Sequence, residues 1–303
     1  MKRAVIDIGT NTVHLIIGEV FNGSLTRVLK KKRFYTFLGE GGIQHIGVKA
    51  RTRLYNALST FSEMINREQC QHTCVVATDA IRNADNGPEI SHHIEKEYGW
   101  KISTISGLEE ADFIKEGVMQ ALGRLNQDLI IVDIGGGSVE FIGITNDETW
   151  YKGSFPIGIS RLYERFHQSE PILELDLNRL DHYLQDTLSP LWQTIRDRHK
   201  NPLLVGCAGT FEVFLSESAN INFANKSEYI ETKKVHSLFE KVKTRDEGMR
   251  QLIPDLPKER SKYIVVALAL MNHLVRHLKA SQFIVSKYAL KEGVMVHEKN
   301  FLD

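Results

Sequence analysis

Two segments of this chain carry nearly the same pattern. Val5-Ile6-Asp7-Ile8-Gly9-Thr10-Asn11-Thr12-Val13-His14-Leu15 recurs as Ile131-Val132-Asp133-Ile134-Gly135-Gly136-Gly137-Ser138-Val139-Glu140-Phe141. Each runs from an apolar strand into an Asp, through a turn of glycine and small polar residues, and into a second apolar strand. The alignment pairs Asp7 with Asp133, Gly9 with Gly135, Thr12 with Ser138 and His14 with Glu140. A tight turn of this composition presents backbone N–H groups and hydroxyls to an anion. Two such turns behind equivalent aspartates point to a duplicated fold that closes on a phosphate chain from both sides. The asymmetry matters most: only one copy carries a carboxylate, Glu140, where the other has His14.

The hydrophobic periodicity repeats with the turns. In the first half, strands are predicted over 4–20, interrupted by the turn, and Asn22-Gly23 is a strong hairpin signal before a returning strand over 25–37. A helix over 49–70 places Leu54, Leu58, Phe61 and Ile65 on one face. A strand over 73–77, a helix ending at Gly99, a strand over 102–105 and a helix over 108–122 complete that half. The second half predicts strands at 129–134, 138–144 and 149–155, then a helix from Ile159 and a longer one over 176–198. A strand at 203–206, a helix from Phe211, an apolar helix over 258–278, a strand at 283–286 and a helix over 290–300 follow. Strand-strand-strand-helix-strand-helix, twice, predicts two mixed α/β domains, 1–124 and 125–303, with a cleft between them.

Length and charge agree with that reading. A chain of 303 residues accommodates two ordinary domains. Lys+Arg 38 balance Asp+Glu 38, so composition gives no reason to expect binding to a nucleic-acid polymer. The longest apolar run, Ile264 to Met271, is far short of the roughly 20 residues of a membrane span. No apolar signal segment precedes the first strand, so a cytoplasmic protein without a membrane partner is expected. Cys70, Cys74 and Cys207 are an odd set that implies no disulfide framework. Cys70 and Cys74 lack zinc-knuckle spacing and are expected to be buried as small apolar residues.

Several motifs carry chemistry. Gly9, Thr10, Asn11 and Thr12 form the first candidate anion turn, with a plain polar hairpin as the bland reading. Gly135, Gly136, Gly137 and Ser138 form the second. Three successive glycines are conformationally costly, and close approach of phosphate oxygens is the expected reason. Glu140 follows that turn, where a carboxylate beside phosphate must handle a proton or a metal; the bland alternative is a solvent-facing strand residue. Glu109 and Glu110 open a helix. Dipole complementation explains one of them and leaves the other able to orient an attacking water. Arg82 follows a strand and suits either a bidentate phosphate contact or a surface salt bridge. Gly209 and Thr210 lie between a strand and a helix, where N–H groups are poised for phosphate. His273 and His277 have the spacing of a zinc helix but lack its adjacent Glu, and packing is the better reading. Lys30-Lys31-Lys32-Arg33 is a solvated strand face that can also guide a polyanion.

Taken together, these segments resemble the exopolyphosphatase / guanosine pentaphosphate phosphohydrolase (Ppx/GppA) family over nearly the whole chain. The marks are Asp7 to Thr12, Ala-Thr-x-Ala-x-Arg at 77–82, Ser-Gly-x-Glu-Glu-Ala at 106–111, Asp-Ile-Gly-Gly-Gly-Ser-x-Glu at 133–140, Ser154-Phe155-Pro156-Ile157-Gly158, and Gly206 to Thr210. The resemblance implies an α/β fold of two duplicated ribonuclease-H-like (actin-like ATPase) domains. It implies Mg²⁺-dependent hydrolysis of the terminal phosphoanhydride bond of inorganic polyphosphate or guanosine pentaphosphate, releasing orthophosphate. It assigns Glu110, with Glu109 as the lesser candidate, together with Glu140 and Asp133 to catalysis. Asp7, Asp133 and Glu140 would hold the metal. Gly9, Thr10, Asn11, Thr12, Arg82, Gly135, Gly136, Gly137, Ser138, Gly209 and Thr210 would hold phosphate. With carboxylates crowded at 110, 133 and 140, one is expected to have a raised pKa.

There are departures from the family pattern. Long members carry additional C-terminal helical domains that this chain lacks, which puts processive action on long polymers in question. The usual Leu-Arg-Glu-Gly reads Leu290-Lys291-Glu292-Gly293, which keeps charge but loses the guanidinium fork. Cys207 stands where the family usually has Ala or another small residue. Dimers are common among such enzymes, so a homodimer is the expected assembly. Two other readings fit the duplicated turns: an ATP-dependent kinase or ATPase of the same superfamily, and a non-catalytic sensor of alarmone or polyphosphate.

Overall fold

The computed structural model describes residues 1–198, 201–215, 226–254 and 256–297. The chain forms two compact units. The first comprises Met1–Gly123, the turn Gly135–Gly137 and the segment from Tyr288 onward; the second comprises Arg124–Ile134 and Ser138–Lys287.

The first unit is built on β1 (Lys2–Ile8), β2 (Thr12–Phe21), β3 (Ser24–Tyr35), β4 (His72–Ala77) and β5 (Ile102–Thr104), in the sheet order β3-β2-β1-β4-β5. The first three strands are antiparallel neighbours, and β4 and β5 add in parallel. Parallel addition needs crossovers, which α1 (Val48–Glu68), the short α2 (Asp79–Asn83) and α3 (Gly87–Tyr98) supply. Leu54, Leu58, Phe61 and Ile65 of α1 are buried with Ile6, Ile8, Leu15 and Ile17 of β1 and β2 in one core. The last helix of this half, α4 (Gly107–Leu122), is met by a helix from the far end of the chain.

The second unit repeats this plan with β6 (Leu129–Ile134), β7 (Val139–Thr145), β8 (Glu148–Phe155), α5 (Ile159–Phe166), α6 (Glu174–Thr187), α7 (Ser189–Asp197), β9 (Leu203–Cys207) and α8 (Ala208–Glu212). It continues through β10 (Ser227–Glu231), α9 (Lys233–Lys243), α10 (Glu247–Arg250), α11 (Ile264–His277) and β11 (Gln282–Ser286). Its sheet order is β10-β11-β9-β6-β7-β8. Read from β8 to β11, the strands reproduce the order and directions of the first sheet, and β10 is an added antiparallel edge. The apolar α11 lies in a core with Val132, Phe141, Leu180, Trp192 and Phe283.

The duplication extends to local irregularities. The β2–β3 ladder shifts register between Ile17 and Gly18, and the β7–β8 ladder between Gly143 and Ile144, the equivalent place. In each, a glycine makes room for the returning strand: a Cβ on Gly18 would stand 2.6 Å from Leu25 Cδ1, and one on Gly143 2.5 Å from Trp150 Cε2. The hairpin turns also match, with positive φ at Asn22 and Gly23 and again at Asn146 and Asp147, as a primed two-residue turn requires.

The structure departs from the sequence reading in several places, and β10, α9 and α10 are elements that reading did not expect. The helix expected over 176–198 is two helices, broken at Leu188 because Pro190 opens α7. The apolar helix begins at Ile264, after a 3₁₀ turn at Lys258–Arg260. Cys74 is buried, and burial pushes its thiol up to about 11, but Cys70 is only half-buried. Finally, residues from Tyr288, expected with the second domain, return to the first unit. There α12 (Leu290–Val296) packs on α4 and β1. The helices cross where Gly117 and Gly293 face each other's backbones: a Cβ on Gly117 would sit 2.0 Å from Ala289 O, and one on Gly293 1.8 Å from Phe113 O. Glu292 is sealed from solvent, 2.7 Å from Lys31 Nζ and 3.5 Å from Lys291 Nζ, and accepts from Ala289 N–H at 2.8 Å. Burial alone would raise its carboxyl pKa. The two ammonium groups and the amide bond outweigh burial and hold it below the usual range. One lysine of the basic run therefore anchors the returning segment.

Candidate active site

In the second unit, the carboxylates of the duplicated motif are fixed by strand register. Asp133, the penultimate residue of β6, lies directly opposite Glu140 on β7, and opposed residues of an antiparallel pair project from the same face. Glu140 in turn lies opposite Ser154 on β8, whose hydroxyl donates to Glu140 Oε1 at 2.7 Å. Glu140 is 1% exposed, which removes the reading of a solvent-facing strand residue. Across the parallel β6–β9 pairing, Asp133 faces Cys207, whose thiol stands 3.6 Å from Asp133 Oδ2 and 3.6 Å from Val132 O. The small family residue is thus replaced here by a weak donor beside the aspartate.

The first unit holds the equivalent row. Asp7 lies opposite His14, and His14 opposite Arg33. His14 Nε2 is 2.9 Å from Thr12 Oγ1. The turn between them is closed by Gly9 N–H donating to Thr12 O at 3.0 Å. Outside it, Thr36 and Phe37 N–H both donate to Asn11 O, and Gly39 N–H donates to Thr10 O. In a trans peptide, C=O and N–H point in opposite directions. Tying these carbonyls to the 36–39 loop therefore directs the amides of Asn11 and Thr12 away from it, the orientation an anion turn needs.

The turn Gly135–Gly137 belongs to this unit as well, and packing is one reason for two of its glycines. Neither Gly136 nor Gly137 has a left-handed φ; what they supply is space. A Cβ on Gly136 would stand 2.9 Å from Asn11 Nδ2 and 2.9 Å from Thr10 Cβ, and one on Gly137 2.0 Å from Asp79 Oδ2. Close approach of protein side chains therefore disfavours a larger residue at either position.

Asp79 is a buried carboxylate that the sequence reading did not single out. It accepts from Asn83 Nδ2 at 2.8 Å and is 3.4 Å from Arg82 Nη2. Arg82 Nη1 donates to Ile105 O at 2.6 Å. The ion pair is with a buried carboxylate rather than at the surface, and each amine also carries a second N–H. The glutamate pair is separated by geometry. Ser106 and Glu109 form a capping box: Ser106 N–H donates to Glu109 Oε2 at 2.8 Å, and Glu109 N–H to Ser106 Oγ at 3.2 Å. The Ser106 backbone N–H, with the Ser106 hydroxyl, holds the exposed Glu109 carboxyl below the usual range. Glu110 is 9% exposed and plays no part in the box. The Ser-x-x-Glu spacing was the sequence signal that could have distinguished them.

The Gly209 turn of the second unit is held with backbone strain. Ala208 adopts φ 63, a left-handed conformation costly for a residue with a side chain. Thr210 Oγ1 donates to Ile134 O at 3.4 Å. α8 is a single short helix, so the turn rather than a long dipole provides whatever anion affinity exists here. Arg260, which the sequence reading missed, lies over this turn: its Nη2 would stand 3.1 Å from a Cβ on Gly209 and donates to Glu212 Oε2 at 3.1 Å. Arg260 is about fifty residues from Gly209 in sequence, and no local spacing could have joined them. The two histidines of α11 are packing residues, as expected. His273 Nδ1 is 2.8 Å from Asp181 Oδ1, and the His277 ring stacks on Trp192.

Among the described residues, no three His, Cys, Asp or Glu side chains form a metal site by themselves. That does not disfavour Mg²⁺, which typically binds through one or two carboxylates plus substrate phosphates. The opposed, hard-oxygen pair Asp133 and Glu140 has that chemistry.

Comparison with known proteins gives a consistent result. The model of the Ppx/GppA phosphatase family matches residues 16–300. Among solved structures, the chain is similar to an exopolyphosphatase from Cytophaga hutchinsonii, with 31% identity over 97% of this chain and 96% of that one and a TM-score of 0.90. It also resembles the Aquifex aeolicus member of the Ppx/GppA family in fold, with 24% identity over 99% and 97% of the two chains and a TM-score of 0.79.

Proposed function

This chain belongs to the Ppx/GppA phosphatase family, and we propose that it hydrolyses the terminal phosphoanhydride bond of inorganic polyphosphate, releasing orthophosphate. The observation that carries the proposal is the buried Glu140, aligned with Asp133 and held by Ser154 immediately after the second anion turn. A carboxylate sealed in that position has a use in proton or metal handling and none in solubility. The similar Cytophaga exopolyphosphatase supports the same reaction. Guanosine pentaphosphate ends in the same phosphoanhydride and is the second candidate substrate. An ATP-dependent kinase is not favoured, since both the family and that relative point to hydrolysis.

The roles follow from chemistry. Glu110 accepts a proton from the attacking water or orients it. The water oxygen forms a bond to the terminal phosphorus as the bond to the bridging oxygen breaks; the shortened chain leaves with that oxygen as its new terminal oxygen, and the attacked phosphorus departs as orthophosphate. Gly9 to Thr12, Gly135 to Ser138, Arg82, Gly209 and Thr210 bind phosphate oxygens, with Arg260 added to that set. Asp133 and Glu140, with Asp7, are the proposed holders of Mg²⁺. When bound, the ion would supply charge neutralisation at the phosphate oxygens. A cytoplasmic location and a homodimeric state complete the proposal, testable by fractionation and by light scattering.

Paired variants test it. Glu110→Gln is expected to lower orthophosphate release from polyphosphate by at least about a hundredfold with unchanged circular dichroism. Glu109→Ala is expected to lose up to about 1 kcal/mol of stability through the cap and to keep its turnover. Full activity in Glu110→Gln would overturn the assignment.

A further inference from the structure

Among the described residues, Arg250 is the largest side chain sealed completely from solvent. Its Nη1 and Nη2 donate to the two carboxylate oxygens of Glu170 at 2.9 and 2.8 Å, Nη1 also to Arg245 O at 2.6 Å, and Nε to Ser261 O at 2.8 Å. His167 Nε2 stands 3.1 Å from Glu170 Oε1. A buried ion pair is a poor way merely to join two segments, because well-packed apolar residues do so at least as stably. What distinguishes this pair is the atom it holds besides itself. Ser261 directly follows Arg260, so the Arg250 Nε bond to the Ser261–Lys262 peptide pins the chain one residue beyond the one that carries the guanidinium.

The turn carrying Arg260 has little remaining freedom. Arg260 N–H donates to Pro257 O, Ser261 N–H to Lys258 O and Tyr263 N–H to Arg260 O, at 2.9, 3.1 and 3.1 Å. Ser261 Oγ donates to Lys258 O at 2.7 Å. Internal bonds make the turn rigid, and Arg250 with Glu170 sets where that rigid piece sits. At its end the Arg260 guanidinium lies over Gly209, with Nη2 on Glu212. Its Nη1 is buried and has no hydrogen-bond partner among the described residues. A buried guanidinium nitrogen left without an acceptor is costly, and a planar fork beside a glycine turn matches a phosphate oxygen.

We propose that the buried Glu170–Arg250 pair is a positioning device for Arg260, holding its guanidinium over the Gly209 turn to meet a phosphate of the bound chain. Neither Glu170 nor Arg250 touches substrate; they act through Ser261 and Arg260. The inference rests on the polyphosphatase reading for the identity of the ligand.

The test uses tripolyphosphate, with binding measured by calorimetry in a Glu110→Gln background, where it is not consumed. Two perturbations are made there. Glu170→Asp keeps both charges and displaces Arg250 by one methylene; the Arg250→Met, Glu170→Met double change removes both charges and leaves neither unpaired. Each is expected to raise Kd roughly tenfold, the worth of one charge-assisted hydrogen bond, with little change in Tm. Arg260→Ala is expected to raise Kd similarly in the parent and to add less than about twofold in the double variant, because contacts that act as one unit do not add. In the active enzyme, KM rises while kcat changes little, whereas a merely structural loss lowers the active fraction and leaves KM unchanged. Unchanged Kd in folded Glu170→Asp, or full multiplication of the two effects, would overturn the proposal. Absence of any tripolyphosphate binding by the parent would instead overturn the function on which it rests.

Discussion

Replacing Ser154 with Ala removes one hydroxyl and should impair hydrolysis without disturbing the fold. Ser154 Oγ donates at 2.7 Å to Oε1 of a glutamate that is 1% exposed. Water cannot readily replace that donor at so buried a carboxylate. A hydrogen bond to a charged group is worth about 1.5–3 kcal/mol. If the bond orients Glu140 through the transition state, its loss translates into a roughly 10- to 100-fold fall in kcat/KM. Ser154→Thr retains the hydroxyl and suits a strand, so most activity should return. The assay is steady-state orthophosphate release from polyphosphate with Mg²⁺, run beside thermal denaturation to separate chemistry from folding. Wild-type kcat/KM in folded Ser154→Ala would refute the argument that this cross-strand contact prepares Glu140. Equal losses in Ala and Thr variants would show that the hydroxyl is not the operative group.

Two further outcomes follow from the same geometry. Gly137→Ala places a methyl 2.0 Å from Asp79 Oδ2 and 2.8 Å from Asp79 Cβ; a destabilisation of about 1–3 kcal/mol is expected, with only partial recovery in the Gly137→Ala, Asp79→Ala double variant, which keeps that Cβ, both read by urea unfolding. His273 is sealed in its core, and burial, reinforced by His277 and Arg276 and opposed by Asp181, lowers its pKa from 6.5 to about 4. The unfolded chain therefore binds the proton more readily, and stability falls as pH drops from above 6.5 towards 4. The total is about 3 kcal/mol, and His273→Gln should lack this component of the pH profile when unfolding is followed across that window.

The duplicated turns were legible because their signal is local: an apolar run, an Asp and a glycine turn need no tertiary information. The strands other than β10 followed for the same reason, since each carried its own periodicity. What the sequence concealed depends on packing between distant segments. The role of Gly136 and Gly137 lies in side chains from Thr10, Asn11 and Asp79, which no scan of residues 133–140 contains. Ser154 became meaningful only through β7–β8 register, and Arg260 only through a turn brought over Gly209. Arg250 shows the limit most clearly, for nothing in its sequence neighbourhood marks an arginine for complete burial. The return of α12 to the first unit depended on the glycine crossing at Gly117 and Gly293, which looks from sequence like helix-weakening at both positions. The Glu109 and Glu110 ambiguity was different in kind. The capping box at Ser106 was already written in the spacing and was resolvable without coordinates.

The most direct measurement is orthophosphate release with Mg²⁺ from short polyphosphate, long polyphosphate, guanosine pentaphosphate and ATP, compared side by side for the wild type and Glu110→Gln. The account predicts turnover of polyphosphate that disappears in the variant, with ATP a poor substrate. ATP hydrolysis exceeding that of polyphosphate, or tight polyphosphate binding with no release at any divalent-metal concentration, would contradict it.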